Sequence, residues 1–348
     1  MMMVIFVAQV LVALVGLSHG QSLVPGVVIF GDSVVDSGNN NNRLTLVKAN
    51  FPPYGRDFSN QLPTGRFCNG KLATDFTVEN LGFTSYPPSY LSKEAQGENL
   101  LAGANFASAA SGYLDMTANL YNSISLTQQL HYYKEYQSKV VAIAGKEDAA
   151  DLFSGSIYVL STGNSDYVQN YYINPLLYSV YTPERFADLL VQSFNSFIEN
   201  LYNLGARRIG VTSLPPMGCL PAAITLFSGG NNNCVARLNN NAITFNKKIN
   251  AASQILKKRY SDLKLVIFDI YNPLLELIKN PSNDGFFEAR RACCGTGTIE
   301  TSLLCNSRSI GTCSNASGYV FWDSFHPTEA ANQVLADALL LQGIDLIS

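Results

Sequence analysis

Apolar and polar residues alternate in blocks along this chain of 348 residues, with short apolar runs set between long amphipathic stretches. The short runs are rich in valine, isoleucine and leucine and predict five strands, at residues 27–30, 104–108, 157–161, 208–213 and 263–269. Near-continuous apolar runs of this length, separated by helices, are typical of a parallel sheet that is covered on both faces. The pattern therefore predicts an α/β protein with a mostly parallel five-stranded sheet.

The long amphipathic stretches carry residues that commonly begin and end helices. Thr182-Pro183-Glu184 combines a capping residue, a proline and an acidic residue, so a helix is predicted to begin there and to end before Gly205. Similar signals predict helices at residues 126–144, 235–260 and 327–342. No internal repeat or long linker divides the sequence, so residues 21–348 are predicted to form a single domain.

The first twenty residues are almost entirely apolar, with a core at residues 4–17 that is followed by Ser18 and Gly20. Such a segment is too short for a membrane span, and it ends in the small residues that signal peptidase prefers. Residues 1–20 are therefore predicted to be a cleaved secretory signal peptide. Because no Lys or Arg precedes the apolar core, an uncleaved anchor or a buried helix stays open as an alternative.

Charge and hydropathy argue against two classes of partner. The chain has 23 Lys and Arg against 26 Asp and Glu, and its cations are scattered rather than clustered. This distribution argues against nucleic-acid binding. Beyond the first twenty residues no run approaches ~18 apolar residues, so no stable membrane insertion is predicted. The sequence leaves the oligomeric state open.

Seven cysteines indicate disulfides, which suits a secreted chain. Cys219 and Cys234 bracket a short loop and are predicted to pair. The cysteines at positions 293, 294, 305 and 313 are predicted to form two further bridges of open connectivity, which leaves Cys68 as the odd thiol. Adjacent cysteines lack the spacing of paired zinc ligands, so no metal is predicted. Asn315 begins an Asn-Ala-Ser glycosylation signal.

Three candidate functional residues follow predicted strands. Ser33 lies three residues after the first strand, Gly112 closes a small-residue loop after the second, and Asn164 follows the third. Because ligands of an open parallel sheet gather beyond the carboxyl ends of its strands, we expect these three residues to converge. The backbone N–H groups of Ser33 and Gly112 and the side-chain amide of Asn164 are then predicted to form an oxyanion hole.

A serine nucleophile needs a base, and the chain offers few candidates. Of its three histidines, His19 lies in the predicted signal peptide and His131 in a helix-like run, which leaves His326. Asp323 precedes His326 by three residues, so its carboxylate can orient the imidazole within one turn. Ser33, His326 and Asp323 are therefore predicted to form a catalytic triad.

Several nearby polar residues are given structural roles instead. Asp32, Asp36 and Asp166 are expected to brace their loops, and His131 is expected to lie on a helix surface. The tyrosines of residues 167–186 either pack beneath a loop or line an acyl or sugar groove, and packing is the favoured interpretation.

Five sequence blocks resemble the plant-type GDSL esterases/lipases of the SGNH hydrolase superfamily. These blocks are FGDSVVDSGNN at residues 30–40, PTGRFCNGK at 63–71, GANFAS at 103–108, GNSDY at 163–167 and FWDSFHP at 321–327. The segment around Ser33 lacks the second glycine of the Gly-x-Ser-x-Gly elbow, so it does not match the ordinary α/β-hydrolases. The resemblance implies a flavodoxin-like three-layer α/β/α sandwich without a metal or organic cofactor.

The resemblance also assigns roles to individual residues. It implies that Ser33 is the nucleophile and an oxyanion donor, that Gly112 and Asn164 complete the oxyanion hole, and that Asp323 and His326 complete the triad. Two points of the match stay open. Val34 stands where the family usually has leucine, and Gly103 in the GANFAS block is an alternative to Gly112.

Together these features predict a secreted, extracellular serine esterase/lipase that cleaves carboxylic esters through an acyl-enzyme intermediate. Its partner is then an ester or lipid substrate of unspecified chain length. An acyltransferase that hands the acyl group to an alcohol is an alternative with the same residues. A catalytically silent binding protein on the same fold is a third hypothesis.

Overall fold

The structure is a computed structural model that describes residues 22–348, so the predicted signal peptide at residues 1–20 lies outside the described residues. Its main strands are β1 Val27–Gly31, β2 Gly103–Asn105, β3 Ile157–Ser161, β4 Arg208–Thr212 and β5 Lys264–Phe268. They form one parallel sheet in the order β2-β1-β3-β4-β5. This flavodoxin-like order places the topological switch point between β1 and β3. The predicted five-stranded sheet is confirmed.

Four of the five predicted strands agree with the structure to within one residue at each end. The exception is β2, which was predicted to extend to residue 108 and ends at Asn105. Beyond Asn105 the chain still follows β1, because the N–H groups of Phe106 and Ser108 donate to the carbonyls of Ile29 and Gly31 at 2.7 and 3.0 Å. The segment thus leaves the regular ladder while staying beside the carboxyl end of β1.

The helices agree with the predicted boundary signals. They are α1 Ala73–Asn80, α2 Asp115–Asn119, α3 Leu126–Ala144, α4 Lys146–Gly155, α5 Asn164–Asp166, α6 Pro175–Val180, α7 Pro183–Asn203, α8 Pro221–Phe227, α9 Ala236–Arg259, α10 Tyr271–Lys279, α11 Glu329–Leu340 and α12 Ile344–Ile347. The Thr182 hydroxyl accepts from the Arg185 N–H at the start of α7, at 3.3 Å. The helix predicted to reach residue 342 ends at Leu340, and α12 follows it. In the described part of the chain, no helix is long and apolar enough to cross a membrane.

The side chains of β1 alternate between the two faces of the sheet, as expected for a strand. Val28 and Phe30 belong to a large core cluster with residues of α3, α4, α7 and α9. Val27 and Ile29 belong to a smaller cluster on the other face, with Val78 of α1 and Leu346 of α12. Helices therefore cover both faces, which confirms the predicted three-layer α/β/α arrangement.

A small parallel pair, β6 Glu288–Ala292 and β7 Tyr319–Phe321, was not predicted. β6 has the sequence EARRA, which lacks the apolar pattern of a buried strand, and β7 is apolar but has only three residues. Pairing continues beyond β7, because the Cys294 N–H donates to the Trp322 carbonyl at 2.8 Å. This pair places the cysteine cluster against the segment that contains Asp323 and His326.

The cysteines form three disulfides, which join Cys219 to Cys234, Cys293 to Cys313 and Cys294 to Cys305. The first pair was predicted, and the other two settle the connectivity that the sequence left open. Cys68 is the free thiol and is buried. The other six cysteines are in disulfides, so they are not free thiolates that could bind zinc.

The backbones of β1 and β3 approach very closely at Gly31. Gly31 has a φ of 142°, and a Cβ atom there would lie 1.9 Å from the Ser161 carbonyl oxygen. Gly145, between α3 and α4, also has a positive φ, of 88°, but a Cβ atom there would meet nothing within 4 Å. Substitutions at the two glycines can therefore distinguish the effect of a steric overlap from the effect of backbone conformation alone.

We expect Gly31→Ala to lower the free energy of unfolding by at least ~3 kcal/mol, because the strands must separate to admit the methyl group. Gly145→Ala is the matched control, with an expected loss of about 1–3 kcal/mol from its positive-φ backbone conformation alone, at φ 88° and ψ 166°. Urea unfolding of both variants measures the difference. Equal losses would contradict the close approach at Gly31.

Candidate active site

The predicted nucleophile lies at the carboxyl end of the central strand pair. β1 ends at Gly31, and the Asp32 N–H still donates to the Ser161 carbonyl of β3 at 3.0 Å before the chain turns at Ser33. Ser33 is 6% exposed. The turn thus places the Ser33 hydroxyl at the switch point, where the fold is expected to bind ligands.

Ser33, His326 and Asp323 lie in one hydrogen-bonded row. The His326 Nε2 atom is 2.7 Å from the Ser33 Oγ atom, and its Nδ1 atom is 2.7 Å from the Asp323 Oδ1 atom. The backbone N–H groups of Phe325 and His326 also donate to Asp323 Oδ1, at 3.0 and 2.9 Å, which closes the turn. The structure therefore brings the three predicted residues together, although Ser33 and His326 are 293 positions apart in the sequence. In this geometry the imidazole can accept the serine proton while the carboxylate holds Nδ1–H.

Two residues that the sequence analysis missed hold the second carboxylate oxygen of Asp323. The Tyr54 hydroxyl donates to Asp323 Oδ2 at 2.7 Å, and the Thr301 hydroxyl donates to the same oxygen at 2.9 Å. Tyr54 also accepts from the Ser302 N–H at 2.7 Å, so the Tyr54 hydroxyl is fully engaged. Neither residue stands in a recognisable motif, since one lies in a proline-rich loop and the other within the cysteine cluster.

These contacts determine the charge of Asp323. Burial acts to raise the pKa of Asp323, but the charge of His326 and the hydrogen bonds from His326, Phe325 and Tyr54 bring that pKa below its usual value. Burial and the nearby Asp323 charge raise the pKa of Tyr54 well above its usual value, so Tyr54 stays a hydrogen-bond donor. The aspartate is therefore an ionised partner for the imidazole at neutral pH.

The predicted oxyanion donors have no competing partners. Among residues 22–348, the backbone N–H groups of Ser33 and Gly112 donate no hydrogen bond, whereas the neighbouring Val34 N–H donates to Asp32 Oδ1 at 3.1 Å. The Asn164 Oδ1 atom, an acceptor, is buried and unpaired within the described residues, and the Nδ2 group of the same amide is the candidate donor. Gly163 has a φ of 114°, and this turn places Asn164 directly after β3.

The structure separates Gly112 from its alternative, Gly103. Gly103 pairs with Val27 at the opposite end of β1 from Ser33, about 13 Å along the strand. Gly112 instead lies against Asp166, and a Cβ atom at Gly112 would be 2.3 Å from the Asp166 Oδ1 atom. Gly103 is therefore remote from the site, and Gly112 keeps its place as the candidate.

The acidic residues predicted to brace loops do so. Asp36 accepts from the N–H groups of Gly38, Asn39 and Ala109, at 2.8 to 2.9 Å. Asp166 accepts from the Tyr113 N–H at 2.6 Å and from the Thr117 hydroxyl at 2.6 Å. These bonds tie the three loops at the carboxyl edge of the sheet to one another.

The prediction for His131 agrees with the structure, and that for the tyrosines of residues 167–186 agrees in part. His131 is exposed on α3, and its Nε2 atom lies 3.2 Å from the Glu135 Oε1 atom. Tyr167 and Tyr171 are fully buried, and their ring centroids lie 5.2 and 4.5 Å from that of Phe186, so packing is confirmed for these two tyrosines. Tyr178, in contrast, is 53% exposed. Over the described range, no three metal-ligating side chains come together.

The fold and the site together define the class of SGNH hydrolases. Residues 27–339 match the family model described as GDSL-like Lipase/Acylhydrolase, so the chain belongs to this family.

Two relatives from Arabidopsis thaliana show the extent of the similarity. The chain is 65% identical over 334 residues to GDSL esterase/lipase At5g03810, which covers 96% of this chain and 95% of that protein. It is 62% identical over 326 residues to GDSL esterase/lipase APG, which covers 93% of this chain and 92% of that protein. With such similarity over nearly its whole length, the chain is a carboxylic ester hydrolase.

Three buried carboxyl groups near the site make folding stability dependent on pH. Burial raises the pKa of Asp32 to about 7, and the pKa values of Asp36 and Asp166 to about 6, from a usual value of 3.8. The folded protein therefore holds these protons more tightly than the unfolded chain. Their contribution to stability is complete below pH 3.8 and is lost as the pH rises through about 6 and then about 7.

Asp32→Asn tests this origin because it keeps the shape of the side chain and removes its titration. We expect the free energy of unfolding of the natural protein to fall between about pH 4 and about pH 7 by more than that of the variant. The natural protein is expected to lose at most about 4 kcal/mol more of its free energy of unfolding than the variant over this range. Urea unfolding across this range measures it, and parallel curves for the two proteins would rule out Asp32 as the cause.

Proposed function

We propose that this protein is a secreted serine esterase/lipase that uses Ser33, His326 and Asp323 as a catalytic triad. The observation that carries the proposal is the continuous row of hydrogen bonds from the Ser33 hydroxyl through His326 to Asp323. In this mechanism Ser33 attacks the ester carbonyl and His326 takes the serine proton. His326 then protonates the leaving alcohol. Water attacks the acyl-enzyme with His326 as base, the bond to Ser33 Oγ breaks to release the carboxylic acid, and His326 returns the proton to Ser33.

The tetrahedral intermediate places negative charge on the carbonyl oxygen, which needs donors that are already in position. The backbone N–H groups of Ser33 and Gly112 and the side-chain amide of Asn164 fill this role. The assignment is supported by the Ser33 and Gly112 N–H groups, neither of which has a hydrogen-bond acceptor among the described residues. The brace between Asp166 and the loop after Gly112 keeps two of the three donor segments at a fixed separation.

Three features support the proposal that the protein is secreted. Residues 1–20 have the pattern of a signal peptide, the chain has three disulfides, and Asn315 is exposed in an Asn-Ala-Ser signal. The Asn315 side chain accepts from the Ser317 N–H at 2.9 Å on the surface, where a glycan meets no obstruction from the core. Residues 21–348 then make up the mature protein as a single domain.

Ser33→Ala tests the nucleophile directly. We expect turnover of p-nitrophenyl acetate to fall by roughly 10⁴–10⁶-fold, because the variant cannot form the acyl-enzyme. The melting temperature is expected to stay nearly unchanged, since the side chain loses only one oxygen. Ser37→Ala is the matched control in the same loop, with full activity expected because the Ser37 hydroxyl contacts Ser89, at 2.7 Å. Activity of Ser33→Ala within tenfold of the natural protein would refute the proposed mechanism.

Tyr54→Phe tests whether Tyr54 is a positioning residue for the triad. The change keeps the buried ring and removes the hydrogen bond to Asp323, and we expect kcat/KM to fall about tenfold. With one donor fewer, the Asp323 carboxylate stabilises the charged imidazole more strongly, so the acidic limb of the kcat/KM profile should move to higher pH.

Tyr136→Phe provides the control for lost packing or stability. Tyr136 is equally buried and its hydroxyl donates to the Leu100 carbonyl at 2.9 Å, remote from the triad in the α3 core. That variant should keep the natural pH profile. A Tyr54→Phe variant that loses activity equally at every pH would show a merely structural role.

A further inference from the structure

An apolar groove begins beside the Ser33 turn and continues beneath the C-terminal helices. The groove lies between the face of the sheet that contains Val159 and the helices α1, α11 and α12, and it has a volume of about 170 Å³. At its head it is lined by Asp32 and Val34, which flank Ser33, and by Asn164. The head of the groove therefore includes a proposed oxyanion donor and the two chain neighbours of Ser33, although the Ser33 side chain itself does not line it.

The groove follows the whole length of β3. Ser161 lines it at the carboxyl end of this strand, Val159 in the middle and Ile157 at the other end. With a rise of ~3.3 Å per residue, Ile157 and Ser161 are about 13 Å apart. The groove thus leads away from the site into the layer between the sheet and the helices.

The lining of the groove is almost entirely uncharged. In the part of the chain that the structure describes, Asp32 at the head is the one charged lining residue. Farther along, the walls come from Phe268 of β5, Leu335 of α11 and Leu346 of α12. This composition favours an apolar occupant with its polar end at Ser33.

Small side chains keep the space open. On this face α1 presents Ala73, Thr74 and Thr77 to the groove, and α11 presents Ala336. The opposite face is covered by the longer helices α3, α7 and α9 and by large aromatic side chains such as Phe194. The two faces are therefore packed unequally, and the groove lies in the thinner layer.

We propose that this groove binds the acyl chain of the ester substrate and selects medium-length chains of about six to ten carbons. The inference rests on the proposed function, because it requires the ester carbonyl to lie at Ser33. The length follows from a C–C bond of ~1.5 Å, which advances an extended alkyl chain about 1.25 Å per carbon, or about ten carbons over the groove. The volume is close to that of a ~150 Å³ cavity that holds benzene, and it is too narrow for a helix of about 10 Å diameter.

The first test is the turnover of p-nitrophenyl esters from acetyl to palmitoyl by the purified mature protein. Each buried methylene is worth up to a fourfold gain, so kcat/KM is expected to rise at least 100-fold from acetyl to octanoyl. Beyond about ten carbons it should level off or fall, because the groove is filled. Equal kcat/KM values across the series would overturn the inference.

Thr77→Phe places a large side chain in the middle of the groove. We expect it to lower the ratio of octanoyl to acetyl turnover at least 30-fold. Asn80→Phe is the matched control on the same helix, because Asn80 is exposed and does not line the groove, and it should keep the natural ratio. If Thr77→Phe melts at a much lower temperature, Thr77→Leu provides a smaller obstruction with the same expected direction.

A binding experiment separates this inference from the proposed function. The Ser33→Ala variant is titrated calorimetrically with methyl octanoate. This probe is uncharged, so the Asp32 carboxylate at the head of the groove does not repel it. Binding that weakens at least tenfold with Thr77→Phe, and not with Asn80→Phe, supports the groove whether or not Ser33 is the nucleophile.

Two results would count against the groove alone. Ester turnover that depends on Ser33 but ignores both chain length and Thr77→Phe leaves the proposed function intact and overturns the acyl site. A change of oligomeric state with Thr77→Phe, seen by gel filtration, would identify the groove as a contact between copies of the chain instead.

Discussion

The buried carboxylate of Asp323 is the constraint on which the site depends. Five donors reach its two oxygens, and they come from three separate parts of the chain: the turn of residues 323–326, the loop of Tyr54 and the disulfide-linked loop of Thr301. An unpaired charge in a fully buried position costs several kcal/mol, so the carboxylate stabilises the fold only when these segments are assembled around it. The position of His326, and through it the contact with Ser33, follows from that assembly.

The main sheet and the row of Ser33, His326 and Asp323 were predictable because each leaves a local or topological signal. Strands such as β3 are apolar runs between helices, and parallel topology brings their carboxyl ends to one edge. The pair of Asp323 and His326 was predictable because three residues in one turn are a short-range relation. The serine needed only its place after β1, at the edge where the other loops converge.

What could not be predicted depends on contacts between distant segments. Tyr54 and Thr301 contact Asp323 across long sequence separations. The nearby small sheet was equally hidden, since three of the five residues of β6 are charged. The choice between Gly112 and Gly103 needed the register of β2 against β1, which no motif encodes. The unequal packing of the two sheet faces likewise depends on which small side chains of α1 face inward.

The bridge between Cys294 and Cys305 encloses the segment that supplies Thr301, and it lies next to the turn of Asp323. The disulfide between Cys294 and Cys305 and the contacts around Asp323 therefore involve the same loop. A chain made in a reducing compartment lacks the covalent tie on this loop, so recombinant production for enzymology calls for an oxidising host or a refolding step.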